Sequence, residues 1–183
     1  MRIAFRPVPP DELERLRGAL RPLPGPADPD ADLVAAVRSV PPHFVDLTIT
    51  ATSVAPGTGA TLNKGYNAGA TITQGKAVYL DTSTDPPTWK LADANDASAL
   101  VRTLGGVAVN SASTGQPLTV QTGGPLTIGA TVAAGSWYVL SATPGGIAPV
   151  ADQATGWYPS LVGYGISATQ IQVQILNTGV AVP

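Results

Sequence analysis

The stretch GATITQGKAVYLD at residues 69–81 decides the fold, because it returns as GATVAAGSWYVLS at residues 129–141. Both copies begin with Gly-Ala-Thr and a β-branched residue, and both place a second Gly six positions after the first. Each then runs through apolar residues to Leu80 or Leu140. A pattern that recurs at a spacing of 60 residues indicates one structural unit used twice.

The similarity between the two units extends beyond these stretches. LADAND from Leu91 is matched by VADQA from Val150, residues 104–109 (LGGVAV) by residues 161–166 (LVGYGI), and residues 118–122 (LTVQT) by residues 171–175 (IQVQI). A unit of this kind has apolar faces that it cannot bury alone. We therefore predict an all-β barrel or sandwich built from two similar β-repeats, about 69–122 and 129–176.

Alternation of apolar and polar residues predicts where the strands lie. The predicted strands are residues 45–51, 71–72, 77–81, 107–109, 118–122, 137–140, 158–166 and 170–176. In the last, Ile171, Val173 and Ile175 should face the core and the intervening Gln residues should face outward. Residues 94–101 favour a weak helix of about one turn, and Gly123-Gly124-Pro125 should separate the repeats.

Length and composition limit the classes of protein that this chain can belong to. Its 183 residues suffice for one domain with an extension. The absence of Cys excludes disulfides, thiolate metal sites and a Cys nucleophile. No apolar run approaches the roughly 20 residues of a spanning helix, and no secretory signal is present, so we expect a soluble protein made in a cytoplasm.

Charge is distributed unevenly along the chain. Residues 1–46 hold 13 of the 22 charged side chains, which leaves nine among the other 137 residues. A solvent-exposed surface is typically about a quarter to a third charged. Either hydroxyl groups supply much of the solubility, or partners cover much of the surface.

A Pro-rich N-terminal arm, residues 1–42, precedes the predicted β-domain at residues 43–183. Apolar residues at helical spacing predict two short helices, each ended by proline, and neither is long enough to be stable alone in water. The arm should therefore lie against its own domain, a sister subunit or another protein. The predicted contact residues are Arg2, Phe5, Arg6, Leu13, Leu16, Leu20, Leu33, Val37 and Val40.

The residue types of catalytic and metal sites are sparse. His43 is the sole His, so any Ser-His arrangement would depend on it. Asp93, Asp96 and Asp152 are the best candidates for a carboxylate pair, and Asp81 and Asp85 add possible calcium ligands, yet their surroundings favour turns. We predict no enzymatic activity, no cofactor and no metal.

Two further binding patterns are weak. Gly105-Gly106 and Gly123-Gly124 lack the GK[ST] ending of a phosphate loop and are predicted to be hairpin or bulge glycines. Trp89, Trp137 and Trp157 could form a sugar-binding platform, although packing in a core or interface is commoner for Trp beside Tyr in strands. The few basic residues in the β-domain argue against nucleic-acid binding.

Taken together in order, GATITQGKAVYLD, WKLADAND, LGGVAVN, PLTVQTGG, GATVAAGSWYVLS and GGIAPVAD resemble the head decoration, or capsid cement, proteins of tailed bacteriophages. The resemblance covers about residues 65–183. It implies a β-rich structural protein of the virion that binds the major capsid protein on the outer face of the shell, often as a homotrimer. It also implies no enzymatic activity. The alternative is a virion fibre or a receptor- or carbohydrate-binding module.

Overall fold

The computed structural model describes residues 53–129 and 132–183. Alternating apolar residues, interrupted by Gly, Pro and Asp turns, give short strands throughout this part. The strands are β1 (Ala55–Pro56), β2 (Thr61–Asn63), β3 (Asn67–Ala68), β4 (Ala77–Asp81), β5 (Thr88–Leu91), β6 (Gly106–Ala108), β7 (Val120–Thr127), β8 (Trp137–Leu140), β9 (Ile147–Pro149), β10 (Ser160–Gly165) and β11 (Gln170–Asn177).

The regular secondary structure of the described residues is almost entirely β, as predicted, and their strands join in one large sheet. The sheet is mixed, because β3 pairs parallel to β5 while the other strand pairs are antiparallel. A 3₁₀ turn at Val150–Asp152 is the one helical element in this part of the chain.

Read from the outside to the centre, the strand order is the same in each half of the sheet. The first half runs β5-β4-β6-β7, and the second half runs β9-β8-β10-β11. Val78 of β4 lies opposite Gly106, and Tyr138 of β8, which is 60 positions later, lies opposite Gly163. The hydrogen-bonding register therefore follows the repeat in the sequence.

Two groups of buried side chains hold the sheet together. The principal core contains Ala77, Tyr79, Ala92, Ala94, Leu104, Val107, Leu126, Ile128, Val132, Tyr138, Leu140, Ile147, Val162, Ile171 and Val173. The second cluster contains Ala68, Ile72, Val78, Trp89, Ala108, Ala112, Leu118 and Val120. The principal core draws on both halves, whereas the second cluster covers the opposite side of the first half alone.

A bulge in β7 determines which face of each half meets the principal core. Thr61 pairs with Gly123 and Leu62 pairs with Gln121, so Thr122 is an extra residue between the two pairs. An extra residue in a strand reverses the faces of the residues that follow it. Matched residues consequently lie on opposite sides, because Val78 belongs to the second cluster and Tyr138 to the principal core.

Several local predictions were wrong. Gly123-Gly124-Pro125 does not separate the repeats but lies within β7 and pairs with β11. Residues 94–101 form turns rather than a helix, since the Asp93 and Asp96 carboxylates accept the backbone N–H groups of Asn95 and Ser98 and compete with helical bonding.

Two other predictions also need correction. Of residues 71–72, Ile72 makes a single bridge, with Ala112, and no strand. Gly105 and Gly106 are neither hairpin nor bulge glycines. A Cβ at Gly105 would collide with the Trp89 ring, and one at Gly106 with the Val120 side chain, so close packing requires both glycines.

The predicted arm at residues 1–42 and the predicted strand at residues 45–51 lie outside the described residues. Of the three apolar residues assigned inward in β11, Ile171 and Val173 are buried, and Ile175 is half-buried against the principal core.

Candidate functional site

All nine predicted contact residues of the arm, from Arg2 to Val40, lie outside the described residues, as does His43. Their roles stay predictions. The candidate residues that the structure does place are the aspartates, the tryptophans and the few basic side chains of the β-domain.

Of the three candidates for a carboxylate pair, Asp93 and Asp96 accept hydrogen bonds in turns, and Asp152 ends the 3₁₀ turn at Val150–Asp152. The Asp93 carboxylate accepts the Asn95 N–H at 3.1 Å, and the Asp96 carboxylate accepts the Ser98 N–H at 2.7 Å. Burial raises the pKa of Asp93, and the neighbouring Asp96 charge adds to that effect. Across residues 53–129 and 132–183, no group of three or more His, Cys, Asp or Glu residues could hold a metal ion.

Asp81 forms the one ion pair among the described residues. Lys90 Nζ lies 2.8 Å from its carboxylate, and Ser83 donates both its N–H and its hydroxyl to the same carboxylate. These donors, Lys90 first, lower the pKa of Asp81 to about 2. Asp81 is the last residue of β4, and Lys90 of β5 lies opposite Tyr79 of β4. The ion pair between Asp81 and Lys90 therefore joins the two strands of the β4–β5 hairpin.

The three tryptophans do not form one platform. Trp89 is buried in the second cluster, where its ring meets Tyr66 edge to face. Trp157 is half-buried against the principal core. Trp137, by contrast, is 44% exposed, although it begins a strand whose next three residues are buried. A sugar platform using all three side chains is therefore wrong.

The exposed Trp137 belongs to a row of side chains that crosses four strands. Trp137 of β8 lies opposite Tyr164 of β10, Tyr164 lies opposite Gln172 of β11, and Gln172 lies opposite Pro125 of β7. The Trp137 and Tyr164 ring centroids are 5.2 Å apart with their planes tilted by 59°. We call Trp137, Tyr164, Gln172 and Pro125 the aromatic row.

The matched row in the first half is buried. Ala77 lies opposite Val107, and Val107 lies opposite Gln121, and all three side chains are fully buried. Because of the β7 bulge, the equivalent positions in the second half face away from the principal core. Sequence reasoning named Trp137 but missed its neighbours Tyr164 and Gln172, and the available signal was the presence of two large aromatics where the first repeat has Ala and Val.

The surroundings of the aromatic row carry almost no charge. Between Thr103 and Pro183 the sequence contains one charged side chain, Asp152. None of the four strands that form the row contains Asp, Glu, Lys or Arg. The four strands therefore contribute aromatic rings, amides and hydroxyls to this face and no charged side chain.

A small depression of about 110 Å³ lies elsewhere, beside Arg102 and Tyr158. The Arg102 guanidinium lies 3.6 Å from the centroid of the Tyr158 ring and donates to the Asp96 carbonyl at 3.0 Å. The Arg102 carbonyl accepts the Ser160 hydroxyl at 2.9 Å. The arginine thus ties the turn at residues 96–103 to the start of β10, and its packing is sufficient to explain it.

No protein-family model matches the chain, and no curated protein is significantly similar to it. In the part of the chain that the structure describes, no helix has the length and apolar character needed to cross a bilayer.

Proposed function

We propose that this protein is a structural component of a bacteriophage virion that binds the outer surface of the capsid and stabilises it. The observation that carries the proposal is the near absence of charge from residues 103–183, which is unusual for a surface that stays in contact with water. Leu176 and Val180, 60% and 69% exposed, lie in this same segment. A subunit covered by neighbours in an assembly has this character.

The proposal includes an architecture and a set of partners. The two β-repeats form a barrel or sandwich, and the arm at residues 1–42, with its two short helices, attaches the domain to the major capsid protein. Sister copies associate as a homo-oligomer, with a trimer favoured. The protein works outside the shell without enzymatic activity, cofactor, nucleic acid or membrane, after synthesis in the host cytoplasm.

Stabilisation follows from linkage. A protein that binds the assembled shell and not the dissociated subunits raises the stability of the shell in proportion to the logarithm of its concentration over its Kd.

A second function, a virion fibre or a receptor- or carbohydrate-binding module, is favoured by one observation. Trp137 is a large exposed aromatic side chain in contact with Tyr164, outside both buried clusters. This observation concerns one face of the domain and is compatible with capsid attachment through the arm.

Capsid binding is tested by adding the purified protein to capsids of the parent virus that lack it. We expect saturable co-sedimentation, density on the outer surface in electron cryo-microscopy, and a higher temperature of capsid disruption. Serum albumin at the same concentration is the control. Absence of co-sedimentation, or density confined to the interior, would contradict the proposal.

A further inference from the structure

We propose that the aromatic row is a binding site for a neutral polysaccharide. The site comprises Trp137 and Tyr164 as the stacking surface and Gln172 as the hydrogen-bonding group. Nothing in this inference depends on attachment to a capsid, because the three residues lie on adjacent strands of one domain.

The aromatic pair supplies the stacking surface. A pyranose ring has one face of C–H groups and a rim of hydroxyls, so it fits an exposed indole bordered by polar groups. The ring contact at 5.2 Å holds Trp137 beside Tyr164 before any ligand arrives. Rigid aromatics lose little conformational entropy on binding, which favours them in recognition surfaces.

The amide group of Gln172 is available for a ligand. Gln172 lies directly opposite Tyr164 and is half-buried, and its side chain makes no hydrogen bond to another described residue. The neighbouring Gln170 differs, since its amide donates to Thr127 Oγ1 at 3.1 Å. An amide offers both donors and an acceptor, which suits vicinal hydroxyls.

The absence of charged side chains from the four strands of the row favours an uncharged ligand. The four strands of the row contain no ionic side chain, so the face complements an uncharged ligand and gives an acidic polymer no counter-ion. Val139, the next outward residue of β8, is buried and adds nothing to the exposed row. A second copy of the chain, which would have to bury about 800 Å² here, is the competing occupant that the experiment distinguishes.

The experiment uses the full-length chain on an array of neutral and acidic glycans, followed by affinity electrophoresis in gels containing the neutral polysaccharide bound best. Trp137→Ala should weaken binding by at least about tenfold, and Gln172→Ala should weaken it less. Leu176→Ala removes an exposed side chain of the same sheet outside the row and should bind like the wild type. Thermal melts check that all variants fold.

Three results would overturn the proposal: no neutral glycan binds, only acidic glycans bind, or Trp137→Ala binds as well as the wild type. A concentration-dependent dimer in sedimentation velocity that Trp137→Ala abolishes would identify the row as a self-association face instead. Trp137→Ala should still bind capsids, so failure of this inference and failure of the proposed capsid role are separate results.

Discussion

At the scale of single residues, Asp81 and Ser141 show that a carboxylate and a hydroxyl can stabilise the same kind of turn. They occupy matched positions in the repeat, and both are buried. The Asp81 carboxylate accepts the Ser83 N–H at 3.0 Å, and the Ser141 hydroxyl accepts the Thr143 N–H at 3.1 Å. Only Asp81 adds an ion pair, with Lys90.

Asp81→Ser should therefore keep the turn and lose the ion pair. The Lys90 and Ser83 donors lower the pKa of Asp81 from 3.8 to about 2. A folded-state pKa below the unfolded value stabilises the protein above about pH 4, and this contribution disappears as the pH falls toward 2. The difference in unfolding free energy between wild type and variant, measured by urea unfolding, should shrink across that interval.

The pH dependence of stability must be compared between wild type and variant, because the pKa of Asp93 is shifted in the opposite direction to that of Asp81. Burial raises its pKa, so its contribution to stability is lost as the pH rises. Lys90→Met should show the same pH-dependent loss as Asp81→Ser. A difference between wild type and Asp81→Ser that is equal at pH 6 and pH 2 would contradict the role of the ion pair.

Val173 tests the inward face of β11. Val173 is buried in the principal core, whereas Gln174, the next residue, is exposed. Val173→Asp would bury an unpaired carboxylate and should cost about 3 kcal/mol or more. Gln174→Lys should change stability by less than about 0.5 kcal/mol. Equal melting temperatures for the two variants would mean that the face is misassigned.

At the scale of elements, β7 joins the two halves of the sheet, because it pairs with β6 before its bulge and with β11 after it. Gln121 stabilises the bulge from inside. Its Nε2 donates to the carbonyl oxygens of Gly123, Gly124 and Pro125 at 3.1, 3.0 and 2.9 Å. The two N–H groups of this buried amide are thus shared among three carbonyls beside the bulge, and the Pro125 carbonyl also accepts the Gly57 N–H at 2.7 Å.

Gln121→Leu should destabilise the protein by about 1–3 kcal/mol, because the half-buried carbonyls of Gly123 and Gly124 lose the amide donor. Gln172→Leu is the control, because Gln172 pairs with Tyr164 as Gln121 pairs with Val107, and it should cost little since that side chain faces outward. Chemical denaturation of both variants measures the difference. Equal losses would show that the Gln121 hydrogen bonds do not stabilise the bulge.

Gly163 provides a second test, at the bulge of β10. A Cβ there would overlap the backbone carbonyl oxygen of Gln172, which cannot move without breaking the β10–β11 pairing. Gly163→Ala should cost about 3 kcal/mol. At Gly135, φ is +81° but a Cβ would meet no atom within 4 Å, so Gly135→Ala should cost only about 1 kcal/mol. Thermal melts in which the two variants match would refute the packing argument.

At the scale of the whole molecule, the two halves differ in what covers their outer sides. The second cluster, built with Ala68, Ile72, Ala112 and Leu118, covers the outer side of the first half. In the second half the outer side carries the aromatic row, which exposes Trp137. The same repeated unit thus has a covered outer side in the first half and an exposed aromatic side chain on the outer side of the second half.

The arm is tested by a chain that begins at His43. The arm's predicted helices have apolar residues that require a partner, and its first 24 residues carry five Arg against three acids, which suits an acidic shell surface. We expect the shortened chain to fold with a similar melting temperature and to lose binding to capsids that lack the protein. Undiminished capsid binding would show that the β-domain makes the contact.

The sequence alone determined the local features of this protein. The alternation in β11 and the apolar runs of β4 and β8 predicted strands that the structure contains. Strand period and turn chemistry depend on a few neighbouring residues, which is why they could be predicted. The nine contact residues of the arm stay a prediction.

Only the tertiary structure decided which faces of the strands are buried. The β7 bulge forms where Thr61 and Leu62, some 60 positions earlier in the chain, pair with Gly123 and Gln121. Such a long-range pairing leaves no periodic signal, yet it reverses the faces of the β7 residues that follow it. It places Tyr138 in the core and Trp137 in solvent, although the repeat alone would assign Tyr138 to the same side as Val78.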